Sequence, residues 1–176
     1  MHMHRGNLFL VGMPGSGKST LGRLLAKRLD KRFHDTDAEL ERRLGVTIPV
    51  IFELEGEAGF REREAGILAE FTEHTNVILA TGGGAILRPE NREKLKRNGT
   101  VLYLHATPDT LWERTRRSKH RPLLQAPDPR ARVNELYEFR DSLYRDAADF
   151  VVESDQEHVV RLAQRLERQL RSAARI

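Results

Sequence analysis

Gly12-Met13-Pro14-Gly15-Ser16-Gly17-Lys18-Ser19 follows directly on the apolar run Asn7-Leu8-Phe9-Leu10-Val11. The octet has the form G-x-x-x-x-G-K-S. It stands where a buried strand should end and the amphipathic stretch Leu21 to Leu29 begins. That context reads as a phosphate-binding loop rather than a Gly/Ser turn that only caps a helix. Gly12, Gly15 and Gly17 let the backbone take φ > 0 and approach a phosphate chain closely. The loop's N–H groups then converge on the anion, with the positive end of the next helix behind them. Lys18 adds a positive charge at the β- and γ-phosphates, and Ser19 adds an oxygen for Mg²⁺. The expected ligand is a nucleoside triphosphate.

Short apolar runs alternate with amphipathic segments through the rest of the chain. Leu8–Val11, Val77–Ala80, Val101–Leu104 and Phe150–Val152 read as strands, with a weaker fifth at Arg32-Phe33-His34. Helical patterns cover Ser19–Leu29, Asp37–Leu44, Pro49–Leu54, Phe60–Glu73, Arg88–Asn98, Pro108–Arg117, Pro129–Asp146 and Glu157–Ala173. Strands alternating with helices predict an α/β fold, a parallel sheet covered on both faces. No linker or repeat divides the 176 residues, so a single domain over 1–176 is expected. The segment from about 116 to 129 carries a run of basic residues and then three prolines, Pro122, Pro127 and Pro129. It is longer than a connection requires, and beside a nucleotide site it reads as a closing lid.

Composition narrows the function further. Thirty Lys and Arg against 26 Asp and Glu leave +4, which suits small anions and is too slight to argue for nucleic acid. There is no cysteine, so disulfides, thiolate nucleophiles and cysteine-held metals are excluded. No apolar run reaches membrane-spanning length and the first residues do not read as a signal peptide, so a cytoplasmic protein is expected.

A phosphate loop alone does not name a reaction, and the discriminating residues lie downstream. Asp35-Thr36-Asp37 falls just past the second strand, where ligands collect in an open parallel sheet. With Thr36 extended, both carboxylates would point the same way, one towards Mg²⁺ and one towards a substrate hydroxyl. A purely structural use is the capping of a helix from Ala38. In Phe60-Arg61-Glu62-Arg63-Glu64, Arg61 and Glu64 share a helix face, and a fixed Arg fork suits a carboxylate. Taken alone, that pair reads as an ordinary surface ion pair. Phe52 and Phe60 could wall a ring. Gly82-Gly83-Gly84 after the third apolar run removes side-chain obstruction from a ligand lying against the main chain. Arg140, in the helix after the lid, is unremarkable by itself.

Together these motifs resemble the shikimate kinases, within the nucleoside-monophosphate-kinase-like P-loop kinases. The resemblance rests on Gly12 to Thr20, Asp35-Thr36-Asp37, Gly56 to Glu64, Gly82-Gly83-Gly84, Arg121-Pro122-Leu123-Leu124 and Leu143-Tyr144-Arg145. It implies a five-stranded parallel sheet of order 2-3-1-4-5, a substrate-binding helical region at about 37–64, and transfer of the γ-phosphoryl of ATP to the 3-hydroxyl of shikimate. It implies that Asp37 binds the substrate hydroxyls, and that Arg61, Arg140 and Gly82 to Gly84 hold the substrate, the two arginines at its carboxylate. Lys18 and the lid's Arg121 would stabilise the transferring phosphoryl. Gly15, Ser16, Gly17, Lys18, Ser19 and Thr20 would hold ATP, with Arg114 near the adenine. Ser19 and Asp35 would serve Mg²⁺. A monomer acting on small molecules is the expected state.

Three alternatives share some of these features. Gluconate kinase has the fold and loop but takes an open-chain acid, and the paired aspartates, Phe60-Arg61 and the triple glycine favour a ring acid. A nucleoside monophosphate kinase would need more arginines and a base pocket. A nucleic-acid-binding ATP switch would need a basic stripe interleaved with aromatics, which are only 6% of this chain.

Overall fold

The computed structural model describes residues 6–119 and 121–176; the Met-His start and His120 of the basic lid lie outside them. Five strands form one parallel sheet: β1 (Leu8–Val11), β2 (Arg32–Asp35), β3 (Val77–Ala80), β4 (Thr100–His105) and β5 (Phe150–Glu153), in spatial order β2-β3-β1-β4-β5. The expected strand order is therefore found. β1 lies between β3 and β4, with Leu10 opposite Ala80 on one side and Leu102 on the other. The sheet is wrapped by α1 (Lys18–Leu29), α2 (Thr36–Leu44), α3 (Ile48–Thr72), α4 (Pro89–Asn98), α5 (Pro108–Thr115), α6 (Pro129–Ala147) and α7 (Val159–Ser172).

The two-residue period of the strands divides the core into two layers. Leu8, Leu10, Ile78, Leu102 and Leu104 pack with α1 and α7, while Phe9, Val11, Leu79, Val101 and Tyr103 face the side of α3 to α6. Both faces are buried, which is why β1 and β3 are apolar at every position rather than alternating. β2 is one of the two edge strands; Arg32 is exposed and Phe33 and His34 are only half-buried. Its weak sequence signal has that cause.

Two expectations need correction. Pro49–Leu54 and Phe60–Glu73 are not separated by a loop. They belong to one run, Ile48–Thr72, broken only at Gly56, whose φ of 69° and ψ of −179° are open essentially to glycine alone. Thr36 is not extended either: α2 already begins there, and Asp35 is its N-cap. The proline-rich lid contains one short 3-10 turn, Pro122–Leu124.

The end of the sheet remote from the phosphate loop is tied together by one side chain. Asn7, 1% exposed, donates from Nδ2 to the carbonyls of His74 (2.7 Å) and Asn98 (3.3 Å) and accepts from the Val77 amide (3.1 Å). Asn7→Leu strands those three backbone groups in an apolar environment and should cost about 3 kcal/mol of stability. Urea unfolding checks it. Because Asn7 sits at the opposite strand ends from the phosphate loop, turnover of the remaining folded protein should be unchanged.

Candidate active site

The site is assembled at the carboxyl ends of β1, β2 and β3. After β1, Gly12, Gly15 and Gly17 all have positive φ, at 150°, 85° and 97°. At Gly12 a Cβ would lie 2.5 Å from the Leu104 carbonyl oxygen, and at Gly15 it would lie 2.5 Å from the Thr115 methyl. The loop is thus compressed against its neighbours as well as conformationally special. No side chain caps α1 at Gly17, so its first amides are free for an anion. Lys18 folds back over the loop and donates to the carbonyls of Gly12 (2.8 Å) and Met13 (2.9 Å). Burial of its ammonium, with the Arg121 charge adding to it, lowers its pKa to about 8.

At the end of β2, Asp35 divides its carboxylate between two tasks. Oδ1 accepts the amides of Asp37 (2.9 Å) and Ala38 (3.1 Å), capping α2, and Oδ2 accepts the Ser19 hydroxyl at 2.5 Å. Capping therefore falls to Asp35 and leaves Asp37 free. Although Thr36 is helical, the first turn of α2 still brings Asp37 to the same cavity as Asp35. The Asp37 Oδ1 is buried without a hydrogen-bond partner. Burial first, then the neighbouring Glu64 and Asp35 charges, push its carboxyl up to about 7.

The three glycines after β3 are explained by what stands against them. A Cβ at Gly82 would lie 2.4 Å from Glu64 Oε2 and 3.0 Å from Asp37 Oδ1. One at Gly83 would lie 2.8 Å from Pro14 Cδ, and one at Gly84 would coincide with the Arg61 guanidinium. None of the three has positive φ, so the need is for space rather than for a special turn. Arg61 donates to Glu64 at 2.8 Å, and their side chains are 11% and 1% exposed. This is a buried pair, not the surface pair that its sequence spacing suggests in isolation. Burial raises the Glu64 carboxyl even with Arg61 beside it. The Phe52 and Phe60 rings meet at 4.7 Å, and the Arg61 guanidinium lies 5.2 Å from the Phe60 ring centre. Arg140, on α6, is 3% exposed, and its Nε, like the Nε of Arg61, has no partner.

All seventeen residues singled out above as site candidates border one cavity of about 590 Å³. Arg121 reaches it from the lid, where burial lowers the guanidinium's pKa. Arg114 closes one end, donating to the carbonyls of Gly15 (3.2 Å) and Ser154 (3.2 Å). Ser154, Val159 and Leu162 complete that end and carry no sequence signal that singles them out. Thr36, whose hydroxyl accepts the Gly82 amide at 2.9 Å, was likewise not singled out, though its place between two aspartates pointed to it. Arg116 is exposed and paired with Glu113, as a solvated lid residue should be.

The geometry offers a phosphate cradle beside a second compartment of arginines, carboxylates and aromatic walls. A family model described as shikimate kinase matches residues 14–171. Shikimate kinase from Burkholderia lata is 59% identical over 148 residues, 84% of this chain and 80% of the relative. That from Nitrosospira multiformis is 56% identical over 170 residues, 97% and 87% of the two chains. The structure of shikimate kinase from Acinetobacter baumannii in complex with shikimate superposes with a TM-score of 0.92 at 46% identity, covering 95% of this chain and 93% of that one. The chain belongs to the shikimate kinase family.

Proposed function

We propose that this cleft carries out the family's reaction as follows: the γ-phosphoryl of ATP passes to the 3-hydroxyl of shikimate, giving shikimate 3-phosphate and ADP. The observation that carries the assignment of parts is the unpartnered Asp37 carboxylate oxygen, held in the same cavity as Lys18, Arg61 and Arg140. An acid with a ring and several hydroxyls complements that set: two guanidinium forks for the carboxylate, one carboxylate for the hydroxyls. The Phe52 and Phe60 rings and the bare glycine backbone supply walls.

ATP lies with its phosphates on the Gly15-Ser16-Gly17 amides and on Lys18, with Thr20 beside them and its base towards Arg114 and Ser154. Asp37 accepts the hydrogen bond of the attacking hydroxyl and takes its proton as the new O–P bond forms and the bond from the γ-phosphorus to the bridging oxygen breaks. Lys18 and Arg121 balance charge on the phosphoryl in flight, which is the main demand of this chemistry. Lid closure over Arg121 keeps water from competing with the hydroxyl. Mg²⁺ fits the Ser19 hydroxyl and the Asp35 carboxylate, hard oxygen donors in contact at 2.5 Å beside the loop. An Mg²⁺ ion held by so few protein oxygens would keep waters and phosphate oxygens as its other ligands. Bound there, Mg²⁺ would neutralise phosphate charge. A monomer is the state we assign. No helix of the described residues is long and apolar enough to cross a membrane, and the cytoplasm, with its ATP, is the compartment we assign.

Product analysis by phosphorus NMR tests the assignment: shikimate should be phosphorylated, and faster turnover of gluconate would overturn it. Arg61→Lys keeps the charge and loses the planar fork. The KM for shikimate should rise at least about tenfold, with the KM for ATP within about twofold. Equal changes in both would remove Arg61 from the acceptor compartment. Gly84→Ala puts a methyl in the Arg61 position, and since that neighbour is the end of a flexible side chain, the fold should survive. Its acceptor KM should rise with little change in Tm. Lys18→Ala should lower kcat by about a thousandfold while circular dichroism stays unchanged.

A further inference from the structure

Tyr144 belongs to the Leu143-Tyr144-Arg145 motif, which none of the roles above uses. It is fully buried on α6, one helical turn after Arg140. Its hydroxyl donates to the Gly83 carbonyl at 2.5 Å, and the Arg140 guanidinium stands within reach of the Tyr144 hydroxyl oxygen itself. Its ring is stacked on Tyr103, with centroids 4.9 Å apart and planes 27° from parallel. A Cβ on Gly83 would lie 3.3 Å from Arg140 Nη1 and 2.8 Å from Pro14 of the phosphate loop. One hydroxyl therefore stands where the glycine turn and a substrate-side arginine meet, with the phosphate loop against the same glycine.

Three successive glycines have more backbone freedom than any other tripeptide, and freedom is unwelcome in a binding wall. In a trans peptide the carbonyl and the N–H point in opposite directions, so fixing one fixes the other. Capture of the Gly83 carbonyl sets the rotation of the Gly83–Gly84 peptide. The Tyr144 hydroxyl oxygen, standing beside Arg140, limits the directions in which that guanidinium can aim. A Phe ring would fill the core equally well and do neither.

We propose that Tyr144 is a positioning residue for the acceptor acid, its hydroxyl holding the Gly83 carbonyl and the Arg140 guanidinium in one fixed relation. This rests on the reading that Arg140 and the glycine turn hold the acid.

Tyr144→Phe, Tyr103→Phe and Arg140→Lys, assayed by steady-state kinetics and thermal unfolding, separate the possibilities. Tyr103 is an apt control, because its residue is also buried, its hydroxyl donates to Asp141 at 2.7 Å and it does not border the cavity. Tyr144→Phe should raise the KM for shikimate about tenfold and leave the KM for ATP within about twofold, the effect of one buried hydrogen bond lost. Tyr103→Phe should lower Tm and leave both KM values alone. The double variant Arg140→Lys/Tyr144→Phe should have an acceptor KM close to that of Arg140→Lys, because both changes break one unit. A Tyr144→Phe protein with lower Tm and normal acceptor KM, or one that fails to fold, would make the hydroxyl a core contact and overturn the proposal. So would fully additive effects in the double variant. A normal acceptor KM in Arg140→Lys would instead remove the underlying reading, and this proposal with it.

Discussion

Four ionisable groups meet at the end of β3 because the chain has no side chains there. Glu64, Asp37, Arg61 and Arg140 occupy the volumes that Cβ atoms at Gly82, Gly83 and Gly84 would need or crowd. A lone charge taken out of water costs several kcal/mol, and a buried pair recovers only part of that. The Arg61–Glu64 contact is such a partial recovery, since one Glu64 oxygen and the Nε of Arg61 stay unsatisfied. The rest of this compartment follows from tolerating that cost in a fixed place.

The electrostatics of the cavity are those of a site built for ligands rather than for stability. Five cations and three carboxylates border it. Lys18 sits near pKa 8 and Asp37 near 7, each displaced against its charged form by burial. Under the proposed function, a nucleotide's phosphates would add to the Asp35 and Asp37 charges that Lys18 and Arg121 already feel, and an acid's carboxylate would do the same for Arg61 and Arg140. Bound ligands therefore add stability to a fold whose empty site works against it. Asp35 is the exception. By capping α2 and holding the Ser19 hydroxyl, it ties α2 to the start of α1 with a carboxylate whose two oxygens are both hydrogen-bonded.

The sheet was legible in the sequence because its central strands are buried on both faces, and unbroken apolar runs such as Leu8-Phe9-Leu10-Val11 have few other readings. The phosphate loop was legible because glycine, lysine and serine are each chemically required at their spacing. Less was visible where a residue's meaning depends on distant neighbours. Arg61 and Glu64 at three-residue spacing look the same on a surface as in a core, and only the neighbours that bury them, the glycine turn and Asp37 among them, decide. The triple glycine pointed to function, yet the reason, room for side chains from three other elements, is tertiary. Ser154 and Val159 border the cavity by topology alone, which a local pattern does not encode.

The break in α3 has a consequence for how the aromatic-walled compartment can change. Phe52 precedes Gly56 and Phe60 and Arg61 follow it, so the aromatic wall is built from both arms of an elbow set by one pair of torsions. A side chain at that position would pull the backbone towards a straight rod and swing the Phe52 arm away from its partner ring. Substitutions before the elbow, by contrast, can remodel the rim of the pocket while the guanidinium–carboxylate floor beyond it stays put. The aromatic wall therefore depends on both arms of α3, and the Arg61–Glu64 pair on the second arm alone.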